Sequence, residues 1–122
     1  LAEMGLEKMA DVQASALPYG LQRKLEIARA LAMEPKLLLL DEPAAGMNPE
    51  ESRALSALIQ DIRERFNLTI LLIEHHMDVV MRVCSHIVVI NFGALLADGP
   101  PEKVRTDERV LQAYLGKEYR NA

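Results

Sequence analysis

Leu37-Leu38-Leu39-Leu40-Asp41-Glu42-Pro43 is the stretch on which the fold turns. Four leucines are too short a run for a helix, and Pro35 before them and Pro43 after them break helical continuation. A short apolar run without alternation, bounded by breakers, predicts a strand buried on both faces, the kind found in parallel sheets covered by helices. Its polar end puts two carboxylates, Asp41 and Glu42, at the carboxyl mouth of a strand, where open α/β sheets bind ligands.

Upstream, Leu21, Leu25, Ala28, Leu31 and Ala32 recur on one helical face and predict a helix from Leu21 to Met33, closed by Pro35. Residues 6–16 are weakly periodic, and Pro18-Tyr19-Gly20 breaks the chain before the helix. Downstream, Ala44–Met47 reads as loop. At Asn48-Pro49-Glu50-Glu51, Asn48 can cap a helix, Pro49 suits the first helical position and Glu51 completes a capping box. Leu55, Leu58, Ile59, Ile62 and Phe66 mark the inner face of that helix.

A second strand, 68–73, ends in Glu74-His75-His76. A short helix from Met77 to Val83 and a third strand, His86–Ile90, follow. The turn Asn91-Phe92-Gly93-Ala94 sends Leu95–Ala97 back as an antiparallel edge. Helical pieces are expected at 101–104 and 107–115, with Gly116 as a stop. Strand–helix alternation predicts a layered α/β sheet with right-handed crossovers. If the first two strands are neighbours, the Asp41–Glu42 and Glu74–His76 clusters share one crevice. Leu1–Met4 followed by Gly5 reads as the last turn of a helix, so the start is expected to lie inside a larger structure.

Composition narrows the chemistry. The 122 residues carry 14 basic against 18 acidic side chains, a net charge of -4, which gives no footprint for nucleic acid or an anionic membrane. At 50% hydrophobic residues the chain is outside the disordered class. A single cysteine, Cys84, excludes an internal disulfide framework and a cysteine-based zinc knot. No apolar run reaches the 18 residues of a membrane helix. A carboxylate held at the mouth of a buried strand suits magnesium, and its neighbour can orient an attacking water. The residues by themselves thus point to a candidate metal-dependent hydrolase site.

The order of motifs adds a family. Leu17-Pro18-Tyr19-Gly20-Leu21-Gln22-Arg23-Lys24-Leu25-Glu26-Ile27-Ala28-Arg29-Ala30-Leu31 resembles the signature segment and following helix of ATP-binding cassette ATPases. Leu37–Pro43 resembles their Walker B strand, Ala44-Ala45-Gly46-Met47-Asn48-Pro49 their D-loop, and Leu72-Ile73-Glu74-His75 their switch-histidine segment. Within the family, Tyr19-Gly20, Ala44–Pro49, Ile73-Glu74-His75 and the closing Arg109–Gly116 resemble the ATPase subunits of branched-chain amino acid importers.

That resemblance implies a partial P-loop NTPase core: mostly parallel strands flanked by helices, without the Walker A half. It implies a division into 1–36 (end of the helical subdomain, with the signature), 37–100 (α/β core) and 101–122 (helical tail). ATP and Mg2+ are the implied cofactors. Asp41 would hold the magnesium, Glu42 would be the general base, and His75 would contact the γ-phosphate. Tyr19, Gly20 and Leu21 would present the signature to ATP held by the other subunit, and Asn48 would sit at the dimer seam. The implied partners are a second ATP-binding subunit, integral membrane permeases and, indirectly, a substrate-binding protein, with the subunit peripheral on the cytoplasmic face of the membrane. His76 stands where many members carry Asp, and a structural or solvated role is expected of it.

Two departures bear on activity. Pro18 and Leu21 stand at the serine and glutamine places of the usual signature, so a hydroxyl and an amide are lost. No Gly-x-x-x-x-Gly-Lys-Ser/Thr pattern occurs anywhere in the sequence. These 122 residues alone are therefore expected to turn over no ATP and to expose apolar surface that favours self-association. The alternatives are a non-catalytic self-associating module, or the ATPase of another cassette system such as an exporter. A DNA-repair ATPase is disfavoured by the lack of heptads and of a basic patch.

Overall fold

Residues 4–115 are described by a computed structural model, in which the chain forms two compact units, one ending at Leu71 and the other beginning at Leu72. The first holds two 3₁₀ turns, Glu7–Met9 and Ala14–Ala16, then α1 (Tyr19–Leu31), β1 (Leu37–Asp41) and α2 (Pro49–Arg65). The division falls inside β2 (Thr69–Ile73). The second unit continues with α3 (Met77–Val83), β3 (Ile87–Asn91), β4 (Ala94–Gly99), α4 (Pro101–Arg105) and α5 (Glu108–Val110), which runs on as a π-helical stretch, Leu111–Leu115. The expected helical start over Leu1–Met4 and the stop at Gly116 involve residues outside the described ones.

In the first unit, β1 and β2 are neighbours, with the Thr69 N–H donating to the Lys36 carbonyl at 3.0 Å. They are joined through α2, the helical crossover that parallel strands require. The capping box is formed as expected: Asn48 Oδ1 accepts from the Glu51 N–H at 2.8 Å, and Glu51 Oε1 accepts from the Asn48 N–H at 3.4 Å. The buried face of α2 is Ser52, Leu55, Ser56, Ile59 and Ile62. Phe66, expected on this face, caps the helix end and is exposed. Two serines take inner places because they are small and Ser56 Oγ donates to the Ser52 carbonyl at 2.9 Å; among the described residues no buried side-chain nitrogen or oxygen lacks a partner.

Two further expectations are corrected. In α1 the fully buried side chain is Ile27, while Leu21, Leu25, Ala28 and Leu31 are half-buried and Ala32 is exposed. The apolar stripe there is broad enough that spacing alone did not pick its centre. β1 is buried on one face only: Leu38 and Leu40 point inward, while Leu37 and Leu39 remain 53% and 64% exposed. Leu71 and Ile73 of β2 are exposed in the same way. The pleat forces successive side chains to opposite faces, and in the described residues only one face is covered.

In the second unit, β3 and β4 form an antiparallel hairpin whose central turn residues, Phe92 and Gly93, both have positive φ (49° and 78°). That pair matches the right-handed strand twist and needs a glycine or a tolerant residue. A register irregularity follows at Val89/Ile90. Val80, Ile87, Val89, Ala97, Val104 and Val110 make the aliphatic core, with Met77, Met81 and Cys84 packed on it. The third strand thus pairs with its hairpin partner, and the described residues form two two-stranded sheets instead of one.

Candidate functional site

Asp41 is the last residue of β1, and its neighbour Glu42 already turns away with φ of +46°. A left-handed backbone at a glutamate is uncommon and strained. It stops the strand in one residue and separates the directions of two adjacent carboxylates, both exposed. Asp41 lines a cleft of about 160 Å³ with Arg23, Glu26, Ile27 and Leu38. An exposed carboxylate at a strand mouth is the hard oxygen donor that magnesium takes while keeping most of its waters. Glu42 carries no sequence signal for its backbone; only the fold shows it.

The start of α1 and the loop after β1 are tied together by one side chain. The Tyr19 hydroxyl donates to the Ala45 carbonyl at 2.8 Å and accepts from Arg23 Nε and Nη2 at 3.0 and 2.6 Å. The Arg23 guanidinium also lies 5.1 Å from the Tyr19 ring centre and pairs with Glu26 at 3.1 Å. Gly46 takes φ of +76°, a left-handed conformation that favours glycine, and lies beside the ring, where a Cβ would make ordinary contact with Tyr19 at 3.7 Å. Glu51 Oε2 reaches within 3.5 Å of the place a Gly20 Cβ would take. The Tyr19 hydroxyl therefore ties the start of α1 to the loop at Ala45. Leu21 is half-buried, and Gln22 turns its amide back to the Leu17 carbonyl at 2.8 Å. The reading of the sequence missed Arg23 and Ala45, because their link depends on two segments meeting in space.

In the second unit, Glu74-His75-His76 folds around a single carboxylate oxygen. The Glu74 side chain is fully buried, and its Oε1 accepts from the backbone N–H groups of His75 (3.0 Å) and His76 (3.3 Å). His76 Nδ1 lies 2.7 Å from the same oxygen, His75 Nδ1 3.7 Å, and the two rings are 4.3 Å apart. His75 is 58% exposed at its side chain. His76 also opens α3, its backbone carbonyl accepting from the Val79 and Val80 N–H groups. Asp41 and Glu42 belong to one unit and this cluster to the other, so the shared crevice stays an expectation from sequence. Elsewhere, burial pushes the Cys84 thiol up.

Known proteins carry the same pattern. A family model described as "ABC transporter" matches residues 1–45, and one described as "Branched-chain amino acid ATP-binding cassette transporter" matches residues 94–120. The chain is 53% identical over 117 residues to the high-affinity branched-chain amino acid transport ATP-binding protein BraF of Pseudomonas aeruginosa, covering 96% of this chain and 46% of that protein. It is 50% identical, with the same coverage, to LivG of Escherichia coli, which bears the same description. A solved ATP-binding cassette of an ABC transporter, in its ADP conformation, superposes with a TM-score of 0.85 at 30% identity, over 96% of this chain and 47% of that one. The fold is thus an α/β P-loop NTPase-like core with parallel strands flanked by helices. The chain spans about half the length of the curated relatives it matches.

Proposed function

Because the chain belongs to the ATP-binding cassette (ABC) transporter ATPase family, we propose that it is part of the ATP-hydrolysing subunit of an importer for branched-chain amino acids. The observation that carries the reading is the 53% identity, across 96% of the chain, to a branched-chain amino acid transport ATP-binding protein. A lipopolysaccharide export ATP-binding protein of Haemophilus influenzae is 37% identical over a similar span. The match of residues 94–120 to a branched-chain amino acid transporter model favours the amino-acid reading.

In this reading Asp41 holds magnesium, which when bound offsets the charge of the transferring phosphate. Glu42 takes the proton of the attacking water as its oxygen bonds to the γ-phosphorus and the bond to the ADP oxygen breaks. His75 contacts the γ-phosphate. Tyr19, Gly20 and Leu21 face the nucleotide of a second subunit, with the amino end of α1 turned to its phosphates. Asn48 lies at the seam between the two. The subunit works beneath integral permeases fed by a substrate-binding protein, peripheral on the cytoplasmic face; among the described residues no helix is long and apolar enough to cross a membrane. The sequence carries no phosphate-cradling Gly-x-x-x-x-Gly-Lys segment, so these 122 residues supply the metal, base and signature sides of the site and turn over no ATP alone.

The test is Glu42→Gln in the full-length subunit, with turnover measured beside nucleotide binding. Loss of the base lowers turnover by roughly 10² to 10⁴ while binding survives. Near-normal turnover removes Glu42 from the role.

A further inference from the structure

Glu74, His75 and His76 each offer a ligand atom, and all three lie within 4.8 Å of one another. We propose that this cluster is a binding site for a divalent transition-metal ion of the zinc class. Metal–donor distances of about 2.0–2.2 Å put neighbouring ligands roughly 3 to 3.5 Å apart. The separations from Glu74 Oε1 to the two Nδ1 atoms, 3.7 and 2.7 Å, bracket that range. Both rings lie at least partly at the surface, 58% and 30% exposed.

The carboxylate comes already oriented. Its Oε1 is fixed by the His75 and His76 backbone N–H groups, the outer-shell support that holds a ligating oxygen in place. A metal would replace the His76 Nδ1 contact to Oε1, taking the imidazole nitrogens in their unprotonated form. Two imidazoles and one carboxylate make a mixed nitrogen–oxygen set that favours zinc, nickel or copper over magnesium, which prefers oxygen throughout. Three protein ligands leave a fourth position for water. Asp41, by contrast, offers a single carboxylate, which suits the harder magnesium ion.

A consequence rests on the function proposed above. A metal on His75 Nδ1 holds the ring that would otherwise meet the γ-phosphate, so zinc would act as a brake on turnover.

The experiment titrates the 122-residue chain with Zn2+ by calorimetry, and with Co2+ by absorption. One ion per chain is expected, with a Co2+ spectrum free of thiolate charge transfer, which keeps Cys84 out of the site. His76→Ala and, separately, His75→Ala should each weaken binding by at least about tenfold. His86→Ala, at the other histidine–carboxylate pair (His86 with Asp98), should leave it unchanged. Circular dichroism of each variant checks that it folds, and the exposed His75 makes His75→Ala the safer of the two. No binding at micromolar Zn2+, equal affinity in both cluster variants and the parent, or loss on His86→Ala would overturn the proposal. These readouts contain no ATP, so a failure of the transport reading leaves them intact, and failure here leaves that reading intact.

Discussion

Asn48→Ala and Asn48→Asp together separate two jobs that the sequence assigns to one residue. Asn48 Oδ1 accepts from the Glu51 N–H at 2.8 Å, a short and well-formed cap, while the return bond from Glu51 is stretched to 3.4 Å. The first bond should therefore carry most of the capping energy. Loss of an N-cap side chain costs about 1 kcal/mol, and the weak reciprocal bond adds a few tenths at most. With a urea slope of about 1.5 kcal/mol per molar, the unfolding midpoint should fall by roughly 0.7 M. Glu51→Ala should cost about half as much, from its weak bond and the loss of an acid in the first turn. Asn48→Asp keeps an accepting oxygen and adds a charge favoured at a helix start, so its midpoint should match or exceed the parent's. Because that carboxylate has no N–H to offer, Asn48→Asp in the full-length subunit should retain stability yet lose a contact made through the amide at the proposed seam. Urea unfolding followed by circular dichroism reads the first part. A midpoint for Asn48→Ala within about 0.1 M of the parent would refute the capping argument.

Tyr19→Phe keeps the ring against Gly46 but removes the hydroxyl shared by Ala45 and Arg23; thermal unfolding should show a loss of about 1 kcal/mol. An unchanged melting temperature would mean that the link does not hold the loop. In the full-length subunit at saturating magnesium-ATP, His75→Ala should lose most turnover and His76→Ala should stay within a few-fold of the parent. Equal losses would place the switch position wrongly. The Arg109 side chain, then its N–H, hold the half-buried Asp107 carboxyl below the usual carboxylate range. A depressed folded value stabilises the turn above the ordinary carboxylate range, and that contribution is lost as pH falls through the lowered value. Amide shifts of Arg109 and Val110 should follow this titration, and Asp107→Asn should abolish it.

The local elements were legible because they rest on rules of one or two turns. Pro35 and Pro43 isolate β1, Asn48-Pro49-Glu50-Glu51 writes its own cap, and Phe92-Gly93 provides the positive φ values that a tight hairpin needs. The family was legible for a different reason: signature, strand, loop and histidine segments stand in one order between Leu17 and His75. Spacing could not say which side of a broad stripe turns inward, so Ile27 and two serines of α2 emerged only from packing. Nor could it show that Leu37 and Leu39 stay open, since burial depends on a second layer and not on the strand's own residues. The partners of Tyr19 lie 4 and 26 residues away, and the second distance has no local signature. Glu42's left-handed turn and Glu74's buried oxygen likewise follow from where the chain must go next. Sequence settled what is decided by neighbours along the chain; the tertiary structure decided what depends on neighbours across space, because burial and hydrogen bonding are shared between segments that no local pattern couples.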